Sequence, residues 1–190
     1  MAAGKEIRTQ IASIKNTQKI TSAMEMVAAS KMKKAQDRMI ASRPYSEKIT
    51  KVIGHLANAH PEFEHPYMKE VGELKRIGII IISSDRGLCG GLNTNLFRSL
   101  LKEVADYQAK GIEVDICTIG KKATSFFKNS GLKINSVLTD LGDAPHFDDL
   151  LGTVKVMLDA YDNDEIQQLS VAYNMFENTM TQVPTTAQLI

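Results

Sequence analysis

The 190-residue chain is 43% hydrophobic and 24% charged, enough apolar material for one or two domains with a proper core, and its net charge of +1 looks uninformative. That balance conceals two halves of opposite sign: residues 1–57 hold eleven Lys/Arg against four Asp/Glu, and residues 58–190 hold twelve against eighteen. Two widely spaced cysteines, Cys89 and Cys117, exclude a disulfide scaffold and a zinc knuckle and read as reduced thiols, while the apolar run IGIIIIS at 77–83 is far shorter than the ~20 residues that cross a bilayer.

The chain opens on MAAGKEIRTQ, which is polar, shows no signal peptide and runs straight into a helical pattern. No glycine interrupts it between Gly4 and Gly54. A spacing alternating four and three from Ile7 passes through Ile11, Ile14, Gln18, Thr21, Glu25, Ala28, Met32, Ala35, Met39, Ser42, Ser46, Ile49, Ile53 and Leu56, and ten of these fifteen positions are apolar. That period suits a coiled-coil seam better than a globular helix. Around Gln18, Thr21 and Glu25 the apolar surface moves to Ile20, Met24 and Val27, as if a second partner lay there. A helix over about residues 5–57 would be ~80 Å long. Pro44 is expected to kink it or divide it in two. A single amphipathic helix of that length cannot bury its own seam, so it needs a second long helix. Its excess of Lys and Arg suits an acidic counterpart, whether nucleic acid, an acidic protein or an anionic surface, and equally a solvated helix face.

HLANAHPEFEHPYMKEVGEL, with Pro61 and Pro66, reads as helix end, linker and turn, which places boundaries at 1–57 for the helix, 58–75 for the linker and 76–190 for a second domain. In that domain RIGIIIIS (76–83) is a buried strand, Leu92 to Ala109 an amphipathic helix and VDICTIG (114–120) a strand. Lys121 to Asn129 is a helix stopped by Ser130 and Gly131, KINSVLT (133–139) a strand, Phe147 to Tyr161 a helix and QLSVAYNMF (168–176) a strand. This alternation predicts α/β architecture, a Rossmann-like domain with a mainly parallel sheet.

The loop SSDRGLCGGLN (83–93) follows the first strand and opens a helix, where α/β folds hold phosphates. Its Gly87, Gly90 and Gly91 do not make GxGxxG, and GxxxxGK[ST] is absent from the sequence. The bland alternative is a tight turn in which Asp85 and Arg86 pair locally. Cys89 has no histidine near it in sequence to act as a base. His55, His60 and His65 are spaced to scatter around a helix, which argues against a metal site; His146 stands in a turn. Asp140, Asp143, Asp148 and Asp149 lack calcium-loop spacing, and Asp143 before Pro145 suggests a helix start. No pair of carboxylates stands out as acid and base. An interaction protein is left, with a nucleic-acid binder and a nucleotide enzyme as the competing readings.

Ile14 to Met32, IKNTQKITSAMEMVAASKM, together with SSDRGLCGGLN, closely resembles the gamma-subunit family of F-type rotary ATP synthases, and the resemblance runs the length of the chain. It implies a central-stalk rotor without a catalytic residue, cofactor or bound small molecule of its own, and with no nucleic-acid partner. Such a rotor transmits torque between a proton-driven membrane ring of c subunits and a ring of three alpha and three beta subunits, with the epsilon subunit beside its foot. The polar start without a transit peptide, and the lack of a chloroplast-type cysteine-pair insertion, imply a bacterial member, peripheral on the cytoplasmic face of the inner membrane. On this resemblance Ile7, Arg8, Ile11 and Lys15 belong to the upper shaft. Lys19, Met24, Met26 and Lys31 lie near a beta-subunit lever, and Arg86, Cys89 and Asn93 touch beta in some rotor positions. Ile14, Ala28, Met32, Ala35, Met39, Ile49 and Ile53 form the coiled-coil seam. The family continues past TTAQLI with the second helix of the coiled coil, so the chain is expected to be part of something longer.

Overall fold

The computed structural model describes residues 2–59, 65–68 and 72–190. It divides into two compact units, Met1–Pro61 and Glu62–Ile190. The linker residues His60 and Pro61, and the side chain of Leu56 at the end of the predicted seam, lie outside the described residues.

The first unit is one α-helix, α1, over Ala2–Ala59, with Pro44 inside it. Of the kink or division expected at Pro44, the division does not occur. One internal proline removes a single backbone donor and costs about 3 kcal/mol, and no glycine or second proline in the adjoining turns adds a stop signal. Hydroxyls along the helix bond back to the preceding turn, Thr17 to the Ser13 carbonyl at 3.1 Å and Thr21 to the Thr17 carbonyl at 2.9 Å, so these side chains find their acceptors within the helix itself.

In the second unit a short 3₁₀ turn, Pro66–Met68, precedes β1 (Arg76–Ile82), α2 (Leu92–Ala109), β2 (Glu113–Ile119), α3 (Lys121–Phe127), β3 (Lys133–Leu138), α4 (Phe147–Asp162), β4 (Gln168–Phe176) and β5 (Gln182–Gln188). The sheet order is β3-β2-β1-β4-β5. The first four strands are parallel, and β5 returns antiparallel to β4. The mainly parallel Rossmann-like sheet is as expected, and its spatial order puts strands on both sides of β1.

Period-two alternation sends the strands' apolar residues to two faces. Ile77, Ile79 and Ile81 of β1 and Val114 and Ile116 of β2 pack with Leu96, Phe97 and Leu100 of α2 and Phe127 of α3. Ile80, Cys117 and Ile119 turn the other way onto Met157 and Ala160 of α4. Gly78 shares that second face, where a Cβ on it would lie 2.6 Å from both Ile166 Cδ1 and Met157 Cε. The missing side chain lets α4 and its following turn sit directly on the sheet. Asp115 is buried on this face as well, and its Oδ2 accepts from Lys133 Nζ and Asn135 Nδ2, each at 3.0 Å.

One element was absent from the sequence reading. β5 was not expected, because QVPTTAQ carries Pro184 and little apolar alternation. It forms because Asn178 turns the chain, its side chain accepting the N–H of both Met180 and Thr181 at 2.9 Å, and because an edge strand tolerates proline. The helix read over Phe147 to Tyr161 is α4, with His146 as its N-cap, and the start signal at Asp143 and Pro145 lies in the turn that leads into it. Asp149 accepts the His146 N–H at 3.1 Å, satisfying it from within the first turn.

Candidate functional site

Two surfaces carry the residues singled out in the sequence, one in each unit. On α1 the side chains of Ile7, Arg8, Ile11, Lys15, Lys19, Met24, Met26 and Lys31 are all exposed. So are Ile14, Ala28, Met32, Ala35, Ile49 and Ile53 of the expected seam, while Met39 is half-buried. Ile14 is 68% and Met26 67% exposed, unusual for such side chains on a water-facing helix. The apolar stripe therefore lies open along a helix whose remaining faces are largely polar and basic. An unpaired helix of this kind gains nothing from packing, and burial of those side chains against a partner is its main route to stability.

The second surface is the loop 83–93 between β1 and α2. Its base is tied to the sheet edge. Ser83 donates its N–H to the Ile119 carbonyl at 2.8 Å, and its hydroxyl accepts the Ala123 N–H at 2.9 Å. Asn93, only 8% exposed, accepts the Ser84 N–H at 3.2 Å and donates to Ser84 Oγ at 2.8 Å and to Cys89 Sγ at 3.3 Å. Its amide is thus spent inside the loop, whereas Arg86 is exposed and Cys89 half-buried. At the tip Leu88 has φ 62 and a wholly exposed side chain between Gly87 and Gly90. A left-handed leucine with no packing is a costly arrangement for a surface that meets only water.

Asp85 does not pair with Arg86 as expected. Its carboxylate reaches across the edge of the sheet to the backbone N–H of Lys121 at 2.9 Å and of Leu141 at 3.2 Å. Nothing local in the sequence signals these bonds, because the donors are backbone amides in distant loops. Beside them Lys121 Nζ meets Asp140 Oδ1 at 2.5 Å. That bond holds Lys121 above its usual range and Asp140 below its own.

A cleft of about 910 Å³ opens beside this loop on the α4 face, lined by Ile80, Ile82, Leu150, Val154 and Val171 with Asp85, Arg86, Lys121 and Asp140 at its polar end. Lys121 is engaged by Asp140, and three carboxylates, Asp85, Asp140 and Asp143, line the cleft. The arrangement does not suit a nucleotide phosphate. Among the described residues no cluster of His, Cys, Asp or Glu is placed to hold a metal ion, and no helix is long and apolar enough to cross a membrane. His55 is exposed on α1, His65 accepts the Tyr67 N–H at 3.2 Å, and His146 caps α4, so these three serve separate places. Cys117 is buried, which pushes its thiol up despite a hydrogen bond from Ser136.

A family model described as ATP synthase matches residues 3–190. Over all 190 residues the chain is 80% identical to the ATP synthase gamma chain of Ruthia magnifica subsp. Calyptogena magnifica and covers 66% of that protein. It is 77% identical to that of Vesicomyosocius okutanii subsp. Calyptogena okutanii, again covering 66%, and 60% identical to that of Nitrosococcus oceani, covering 65%. The chain thus spans just under two thirds of the length of these curated relatives. Among solved structures its fold is similar to a chain of the Tetrahymena thermophila mitochondrial ATP synthase central stalk and c-ring, with a TM-score of 0.66 at 23% identity, over 90% of this chain and 72% of that one.

Proposed function

The chain belongs to the ATP synthase gamma family, and from that premise we propose that it is part of the rotor that carries torque between a ring of c subunits in the membrane and the catalytic beta subunits. The observation that carries this reading is α1, a continuous basic helix of 58 residues whose apolar stripe is exposed. Torque needs a stiff element long enough to reach from one machine part to another. A helix of this length, ~87 Å at 1.5 Å per residue, supplies the reach, and pairing with a second helix supplies the stiffness.

In this reading Ile14, Ala28, Met32, Ala35, Met39, Ile49 and Ile53 meet the second helix, which belongs to the part of the longer relatives beyond these residues. Ile7, Arg8, Ile11, Lys15, Lys19, Met24, Met26 and Lys31 face three alpha and three beta subunits, their basic heads toward acidic loops. Arg86 and Cys89 reach beta in some rotor positions, and Asn93 supports them from inside the loop. The α/β unit is the foot, in contact with epsilon and the c ring, at the cytoplasmic face of a bacterial inner membrane. The subunit performs no bond chemistry itself. Its asymmetric surface presents a different face to each beta subunit, and the nucleotide sites there change affinity as it turns.

The test is co-expression of the full-length gene with alpha and beta subunits from the same source, followed by purification on a tag in this subunit and an ATP hydrolysis assay. An active complex that is lost when this subunit is omitted supports the rotor. Elution of the subunit alone, together with DNA affinity that falls steeply with salt, would replace it with a nucleic-acid role for the basic helix.

A further inference from the structure

The two oxygens of Asp85 serve two different loops. Oδ1 accepts the N–H of Lys121, the first residue of α3, and Oδ2 accepts the N–H of Leu141, in the connection from β3 to α4. Asp85 itself follows β1, so a single carboxylate joins the chain segments that leave three adjacent parallel strands. Neighbouring bonds stiffen the same corner. The Lys121–Asp140 ion pair links the second and third segments, and Lys122 donates its N–H to the Ser84 carbonyl at 3.1 Å. Gly120 also fits against Ser83 where no side chain would. Only three residues beyond Asp85, Leu88 projects with a left-handed backbone and no packing.

We infer that Asp85 is a positioning residue: it fastens the base of the 83–93 loop to the ends of β2 and β3, so that the tip around Leu88 is carried as a rigid finger. The inference rests on the rotor reading above and deepens it, because a finger that bears on a stator passes on force only as far as its base resists bending. Hydrogen bonds to an ionised carboxylate are stronger than neutral ones, which suits a joint under load. Asparagine in the same place is a poor substitute. It offers one acceptor oxygen and turns an NH₂ group toward the second backbone donor, so one of the two ties is lost.

The experiment uses the full-length subunit assembled with its partners and compares wild type, Asp85→Asn and Asp85→Ala. Hydrogen–deuterium exchange is read on peptides spanning 84–91, 119–123 and 139–142, with the core strand 77–81 as reference, and proton pumping per ATP hydrolysed is read on the same preparations in vesicles. Asp85→Ala is expected to speed exchange by about tenfold in the three loop regions and leave the reference strand unchanged, with Asp85→Asn intermediate. ATP hydrolysis persists while pumping per ATP falls at least about twofold, in the same order of variants. Unchanged exchange in the loops overturns the fastening role. Faster exchange with wild-type pumping per ATP overturns its part in force transmission, since a merely structural residue lowers the yield of complex and not its coupling. If Asp85→Ala does not assemble, Asp85→Asn decides between the same outcomes. Should the wild-type subunit fail to bind alpha and beta at all, the rotor reading falls, and the exchange pattern on the free subunit still upholds or overturns the fastening by Asp85.

Discussion

Gly120 is packed against Ser83 with no space for a side chain: a Cβ built on Gly120 would lie 2.3 Å from the Ser83 carbonyl oxygen, and its φ is +99°. Both the backbone conformation and the clash with main-chain atoms disfavour any other residue there. Gly120→Ala is expected to destabilise the α/β unit by about 2 kcal/mol or more, read as a lower urea midpoint at unchanged slope. A midpoint within error of wild type would mean that the Ser83 loop yields easily, contrary to the bonds that hold it.

Gly78 makes a softer contact, since the atoms in its way are the ends of Ile166 and Met157. Gly78→Ala alone is expected to cost about 1–3 kcal/mol by overpacking, and Met157→Ala alone about 2–5 kcal/mol by opening a cavity. Combined, the added methyl partly fills the vacated space, so the double variant should lose less than the two costs added, by about 1 kcal/mol or more. Strict additivity of the urea midpoints would show that the two sites do not share that space.

The Lys121–Asp140 pair sets a pH dependence with a defined sign. The bond to Asp140 raises the Lys121 pKa above its ordinary 10.5, so its contribution is whole below that value and is lost as pH rises through the raised one. The bond to Lys121 lowers Asp140 below its ordinary 3.8, so its contribution is whole above that value and is lost as pH falls through the lowered one. The stability difference between wild type and Asp140→Asn should therefore be level from about pH 5 to 9 and shrink at both ends. Asparagine keeps the left-handed backbone at φ 64, so the comparison isolates the charge. Both groups face solvent, and the difference should be small and fade in about 1 M salt. A difference that grows toward either end of the pH range contradicts the pairing.

The two thiols should separate cleanly by reactivity. Cys117 is wholly buried and its pKa is raised, whereas Cys89 lies half-buried in the loop. Maleimide on the native protein is expected to modify Cys89 first, with Cys117 slower by about a hundredfold or more because it waits for the sheet to open. In urea both should react alike. Comparable native rates, counted by mass spectrometry of the two tryptic peptides, would contradict the burial of β2.

The order of strands and helices was legible in the residues, because hydrophobic period is a local property: the isoleucine run of β1 and the spacing of α1 declare themselves without any knowledge of neighbours. The apolar stripe of α1 was legible for the same reason, as ten apolar positions in fifteen. Tertiary structure decided what depends on distant backbone. β5 exists through its register with β4 and through the Asn178 turn, despite Pro184 and its weak apolar alternation. Asp85 looked like a partner for Arg86 because adjacent charges are all that a sequence displays, but two amides 36 and 56 residues away claim its oxygens. Asn93 is buried and braces the loop from inside, bonds that no local pattern announces. Periodicity reports which face of an element is apolar; which polar group meets which is settled only when folding brings chain ends of separate strands to one edge, where each buried donor and acceptor must find a partner.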